Sequence, residues 1–396
     1  MFSIIRGASR RYYATVVFRT FVSKMKKRLH IVAFNIPYPA NYGGVISVFY
    51  HLKALHQLDA KITLHCYEYG RKHSEELNKY CEDVFYYKRK MSPIGLLSSM
   101  PFIVVSRNDK SLLNRLLEDD APILYEGIHT CATLAHPRLK CRQKIVRTHN
   151  IEADYYKNLA RLESNFLKKI YFNVESKKLR NFEGEILRNA DHILAISPND
   201  TAWFRRQFKN VHYVPAFHPN EEVNILKGKG KYTLFHGDLS VKDNTNAALF
   251  LIKNIFTEIK TPFIIAGLDP PDVLIQEVER HPHIRLKANL LQSEMNELLQ
   301  NAHINLLYTF HSSGMKLKLL NALYRGRFCV LNSAMVQNTG METLCHVADT
   351  PDDLIRSIRA VQCLNFTENN IEKRRQSLNN QFSNLTNAQI TYNLME

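Results

Sequence analysis

The sequence predicts an α/β protein of two domains, each built on a parallel sheet with helices on both faces, the two facing one another across a cleft. Three observations lead there. The chain has 396 residues, too many for one core of ordinary size. Short apolar runs alternate with helical stretches along its length, the pattern of strand–helix–strand crossover units. That alternation breaks once, near residues 211–222, where Pro215 and Pro219 fall in an irregular stretch, and then restarts.

The elements follow in order. Residues 28–34, RLHIVAF, form an unbroken apolar run that suits a strand buried on both faces. The loop NIPYPANYGGV leads into a helical pattern, ISVFYHLKALHQL, with Val48, Leu52 and Leu55 on one side, and KITLHCY reads as a second strand. APILYEG (121–127), QKIVRTHN (143–150) and DHILAIS (191–197) read as later strands, the last of them closing the first half, and 151–189 as a long helical stretch. The second half offers strands at YTLFHG (232–237), FIIAG (263–267), IRLKAN (284–289), INLLYTF (304–310) and FCVLNS (328–333). These patterns divide the chain into residues 25–213, residues 214–370 and a helical tail, 371–396.

Residues 1–24 carry five basic residues and no acidic one. Because MKKRLHIVAFNIP reads as an ordinary first strand, Met25 is the expected natural start and 1–24 a poorly packed extension; a targeting peptide is the other reading.

The 53 basic and 37 acidic residues give a net charge of +16. Such a surface attracts phosphorylated small molecules, an anionic membrane face or nucleic acid. Nucleic acid is not an expected partner, because no zinc spacing, RNA-recognition strand or recognition-helix pattern occurs. Basic residues interleave with aromatic ones at YYKRK (86–90) and across 161–180, where Phe166, Tyr171 and Phe172 alternate with lysines, a pattern that suits an anionic membrane surface. The seven cysteines include no CxxC pair, which argues for a reduced, cytoplasmic protein without structural zinc. No run of 18 apolar residues occurs to span a bilayer.

In open parallel sheets ligands bind beyond the carboxyl ends of the strands, so the loops there are the candidate sites. Gly43 and Gly44 stand between the first strand and its helix, where the backbone approaches a phosphate closely or makes a plain tight turn. In HSSGMKLK, Ser312 or Ser313 caps a helix that begins near Met315, Gly314 turns the chain, and Lys316 and Lys318 add charge to free N–H groups. Such a helix mouth holds a diphosphate, or is merely a capped helix with lysines reaching to solvent.

The order NIPYPANYGG, RTHNIE, ADHILAISPND, LFHGDLS followed by an asparagine, FIIAG and SSGMKLKLLNALYRGRFCVLNS resembles the GT-B glycosyltransferases of family 4, with bacterial members nearest in pattern. The resemblance runs from about residue 28 to 370, and its strongest segment is GMKLKLLNALYRG, similar to the family's G-x-K-x-K-x-L-E-A-x-x-x-G. It implies two Rossmann-like domains. It also implies that Gly43 and Gly44 lie near the sugar and diphosphate and that His149 stands beside the transferred sugar. The donor's diphosphate would rest on the helix at Gly314, with Gly237, Asp238, Lys242, Ser312, Ser313, Met315, Lys318 and Asn321 as donor contacts. The family's two glutamates fall on Ser313 and Asn321, and its arginine after the first strand of the second domain falls on Asp238, leaving Lys242 nearby.

The expected activity is therefore a retaining glycosyltransferase, moving a sugar from a nucleotide-diphosphate sugar to a saccharide or lipid-linked acceptor. His149 would orient the sugar and Lys316 would stabilise the departing diphosphate, with no metal and no cofactor. The alternatives are a non-catalytic binding protein on the same fold, favoured by the missing glutamates, and a nucleotide-sugar epimerase.

Overall fold

A computed structural model describes residues 26–310, 316–337 and 339–395. Two parallel sheets form the frame. The first orders β3-β2-β1-β4-β5-β6-β7, from β1 (Arg28–Ala33), β2 (Lys61–Glu68), β3 (Asp83–Lys88), β4 (Ile123–Glu126), β5 (Lys144–Thr148), β6 (His192–Ala195) and β7 (Val211–Tyr213). The second orders β10-β9-β8-β11-β12-β13, from β8 (Thr233–His236), β9 (Phe263–Gly267), β10 (Ile284–Ala288), β11 (Ile304–Leu307), β12 (Phe328–Leu331) and β13 (His346–Val347). Every neighbouring pair runs parallel. The fold class predicted from the alternation of apolar runs is the one observed.

The central strands β1, β4, β5 and β8 are buried almost throughout because helices cover both faces. Val48, Leu52 and Leu55 of the Gly43–Gln57 helix are buried on one face of the first sheet, together with Ile31, Ile62 and Leu64. The other face buries Val32, Tyr125 and Val146 under the helices Glu152–Leu162 and Phe166–Ile186.

Three strands escape the sequence criterion. β7 corrects the reading that 191–197 closes the first half. β3 is a sheet edge of mixed polarity, and β13 is two exposed residues, so neither shows an apolar run.

Two chain segments cross between the sheets. The first leaves β7 at Val214–Phe217, and the second lies between the Glu368–Phe382 and Asn384–Leu394 helices. They are bonded to each other: His218 Nε2 lies 2.8 Å from the Phe382 carbonyl, and Asn384 Nδ2 donates to the His218 carbonyl at 2.7 Å. The Asn384–Leu394 helix then returns to the first sheet, where Ala388, Tyr392 and Met395 join the core of the Gly43–Gln57 face. The 371–396 tail of the sequence reading is thus helical over its described part, and its last helix belongs to the first core.

Candidate active site

The parallel register of β1, β4 and β5 sets Ala33 beside Glu126 and Glu126 beside Arg147. Their carboxyl ends therefore deliver Phe34, Glu126 and His149 to one place at the top of the first sheet. Glu126, Arg147, His149 and His51 are all buried. His149 Nε2 lies 2.8 Å from Glu126 Oε2, His51 Nδ1 lies 2.9 Å from Glu126 Oε1, and Arg147 Nη1 reaches Oε2 at 3.4 Å. Arg147 Nη2 also donates to the Pro215 carbonyl at 3.1 Å, and His51 Nε2 lies 3.1 Å from Thr391 Oγ1. One carboxylate thus joins the His149 loop, the first crossing segment and the returning helix.

Burial alone would raise the Glu126 carboxyl, but Arg147 and the two imidazoles overcome it and hold the group well below its ordinary value. Burial lowers both His149 and His51 in spite of that carboxylate, so they are neutral rings. A neutral imidazole facing an ionised carboxylate donates from the facing nitrogen. His149 therefore presents Nδ1 as an acceptor. The Phe34 ring stands edge-on to His149, centroids 5.4 Å apart. Phe34 is also the reason for glycine at 44, where a Cβ would lie 2.8 Å from its Cζ.

His149 opens onto a cavity of about 500 Å³ between the domains. Asp154, Tyr155 and Trp203 contribute from the first domain, and Lys316, Leu320, Thr339 and Met341 from the second. The wall is fixed from behind: Glu183 accepts from the N–H groups of Glu152 (2.8 Å) and Ala153 (3.2 Å), capping the helix that follows His149. Burial pushes Glu183 up to about 8 and Glu152 up to about 7.

The sequence-derived residues divide into groups. His149 and Lys316 line the one cavity. Gly237, Asp238, Lys242 and Lys318 gather at the carboxyl end of β8, where Lys318 Nζ donates to Asn244 Oδ1 at 3.2 Å and Asn244 Nδ2 to the Asp238 carbonyl at 2.8 Å. The Asp238 carboxylate accepts from Ser240 N and Oγ, so it closes its own turn, and Lys242 is exposed at the start of the next helix. His236 beside them is buried, and its Nε2 has no hydrogen-bond partner among the described residues.

Lys316 precedes the Leu317–Arg325 helix. Burial, and for Lys316 the neighbouring Lys318, lowers both ammonium groups to about 8. Gly43 and Gly44 open their helix behind Phe34, and Gly44 serves close packing there. Asn321 is not at the cavity: its Oδ1 accepts from Asn220 Nδ2 at 2.8 Å, on the first crossing segment. Ser312, Ser313, Gly314 and Met315 lie outside the described residues. Among the described residues no group of three or more His, Cys, Asp or Glu side chains is placed to hold a metal ion.

The sequence-derived catalytic and donor-binding residues do not include Glu126, Arg147, His51 or Thr391. The available signal was a charged residue directly after the apolar run ILY in β4 and another directly after IV in β5, since a buried charge requires a partner.

A structure from E. coli described as trehalose-6-phosphate bound with UDP-2-fluoro glucose superposes with a TM-score of 0.63, covering 93% of this chain and 99% of that one at 10% identity. The fold is GT-B. A TarM mutant of S. aureus in complex with Fondaparinux, alpha-GlcNAc-glycerol and UDP shares this GT-B architecture at TM-score 0.59 and 9% identity, over 93% of this chain and 99% of that one. In sequence, an uncharacterized 44.6 kDa protein in the cps region of Klebsiella pneumoniae is 24% identical over 335 residues, 79% of this chain and 84% of that protein. No protein-family model matches. Among the described residues no helix is long and apolar enough to cross a membrane.

Proposed function

We propose that the protein is a retaining, family 4-like glycosyltransferase that moves a hexosyl group from a nucleotide-diphosphate sugar to a saccharide or lipid-linked acceptor. The observation that carries this reading is the meeting of His149 and Lys316, one from each domain, in a single interdomain cavity. A UDP-sugar bound to a GT-B neighbour supports the donor class, and a relative from a cps region supports polysaccharide synthesis.

As the glycosidic bond to the donor breaks, negative charge collects on the leaving diphosphate. Lys316, Lys318 and the N–H groups entering the Leu317–Arg325 helix supply the compensating positive potential, which acts most strongly when that charge is largest. No metal or cofactor is required in this reading. His149 Nδ1 accepts a hydrogen bond from a sugar hydroxyl and fixes the ring. The acceptor hydroxyl attacks from the face the diphosphate leaves, which retains the anomeric configuration, and the closed cleft keeps water from competing.

Titration calorimetry with UDP- and GDP-sugars tests the reading. Binding of at least one donor, weakened in Lys316→Ala, is expected; absence of binding across the panel rejects it. A second reading, donor binding without turnover, is favoured by Asn321, whose acceptor is occupied by Asn220. Product analysis with the donor that binds separates transfer from mere binding and from epimerisation.

A further inference from the structure

We infer that the face formed by the Phe166–Ile186 helix and the neighbouring Pro93–Leu97 turn docks on an anionic lipid bilayer. Ile94 and Leu97 are 78% and 88% exposed, and Phe166 and Leu167 are 73% and 75% exposed. Ile170 and Val174 continue the same exposed row one and two turns further on. The two segments are fastened side by side. Lys178, one turn beyond Val174, donates to the Leu96 carbonyl at 2.9 Å, and Glu175 Oε2 accepts from Phe102 N at 2.6 Å. Large apolar side chains are therefore exposed on two joined elements, one of whose two links, Glu175 to Phe102 N, is buried.

The charge around them selects the occupant. Residues 88–97 and 164–174 contain Lys88, Arg89, Lys90, Lys168 and Lys169 and no acidic residue. Exposed apolar side chains in segments that carry cations and no acidic residue match a membrane interface with anionic headgroups, where burial and electrostatic attraction act together. A second copy using the same face would bring an identical set of cations against this one, which disfavours a symmetric dimer there.

The face also adjoins the cavity. Asn158 lines the cavity, and Leu162, exposed at the other end of the same helix, lies about 6 Å further along its axis. A protein seated on lipid here would hold the cavity mouth near the bilayer surface, within reach of an acceptor anchored in it. The inference does not depend on the sugar-transfer reading, because binding to lipid is measured without turnover.

The test is flotation of the full chain with vesicles of phosphatidylcholine alone or mixed with phosphatidylglycerol, at low and at high salt. The wild type is expected to float with the anionic vesicles at low salt and to be released in part at high salt. Leu97→Ser/Phe166→Ser is expected to reduce the bound fraction about tenfold, and Lys168→Ser/Lys169→Ser to weaken binding to anionic vesicles only. All four side chains are solvent-exposed, so circular dichroism and melting temperature should match the wild type. Failure to float on anionic vesicles at low salt overturns the inference, as does flotation that the Leu97/Phe166 variant leaves intact. Self-association in the absence of lipid that this variant abolishes would assign the face to a protein contact instead.

Discussion

His149 and Glu126 form the centre of the first domain's contribution, Nε2 2.8 Å from Oε2, with His51 on the other carboxylate oxygen at 2.9 Å. The carboxylate has no access to water, so its charge is balanced by Arg147 and two donated N–H groups. Removing it strands a buried guanidinium, and Glu126→Ala is expected to cost about 3–5 kcal/mol in urea unfolding. Glu126→Gln should cost less and hold His149 poorly. In the wild type, nitrogen-15 spectra should show His149 as the Nε2–H tautomer, and in the glutamine variant a mixture of tautomers.

The same pair fixes a pH dependence. The folded carboxyl sits well below its ordinary value, so its stabilising contribution is complete above the unfolded value of 4.5 and is lost as pH falls through the folded one. Stability measured downward from pH 6 should therefore decline less steeply in Glu126→Gln than in the wild type.

Lys316 and Lys318 are lowered to about 8 by burial. A bound diphosphate restores their protons, since an adjacent anion favours the charged form. UDP affinity should hold steady below neutrality and weaken as pH rises through about 8. Calorimetry near pH 8.5, in buffers of different ionisation enthalpy, should register proton uptake on binding. Lys316→Ala and Lys318→Ala should each weaken UDP binding about 10- to 100-fold, the loss of one charge-assisted contact. The double variant should exceed the product of the two single losses, because removing Lys318 alone relieves the repulsion that lowers Lys316 and so masks part of its own effect.

At Gly44 the added methyl of Gly44→Ala would meet the Phe34 ring at 2.8 Å. The ring must swing toward His149 or the helix must shift, a change expected to cost about 1–3 kcal/mol. Thermal unfolding should register the loss. If Gly44 serves packing alone, nucleotide affinity should stay at the wild-type value.

Truncation after residue 383 removes the helix that supplies Ala388, Tyr392 and Met395 to the first core, along with Thr391 beside His51. The expected result is a first domain that exposes apolar surface, seen as increased binding of an apolar dye and aggregation. The second sheet should keep its secondary structure, because its core residues lie between 223 and 382 apart from Ile46 and Ala216 at its margin.

The sheets were legible because buried parallel strands read as continuous apolar runs, and RLHIVAF, FIIAG and FCVL are such runs. β3 and β13 were not, since an edge strand faces water and a two-residue strand has no period. The returning helix was recognisable as helical, but its destination was hidden: NLTNAQITYNL carries few large apolar residues, and the Gly43–Gln57 helix it packs beside lies more than 300 positions earlier. The site divides the same way. His149 and Lys316 stood at strand and helix ends, where local pattern suffices. Glu126 acquired meaning only from the β4–β5 register that sets it beside Arg147. Asn321 shows the converse, a residue whose local pattern suggested a ligand contact and whose acceptor is taken by Asn220, 101 positions away.

The helix at 384–394 also bears on how the molecule is made. On a ribosome the strands of the first sheet emerge early, but one side of their core stays open until residues 384–395 have emerged. The second domain can therefore finish first, and the domain synthesised first is sealed last, with Thr391 reaching His51 as one of the final contacts to form. Assembly of the His149 pocket in this way waits on the emergence of residues 384–394, so a chain terminated before them would expose an unfinished core to the cell's proteases.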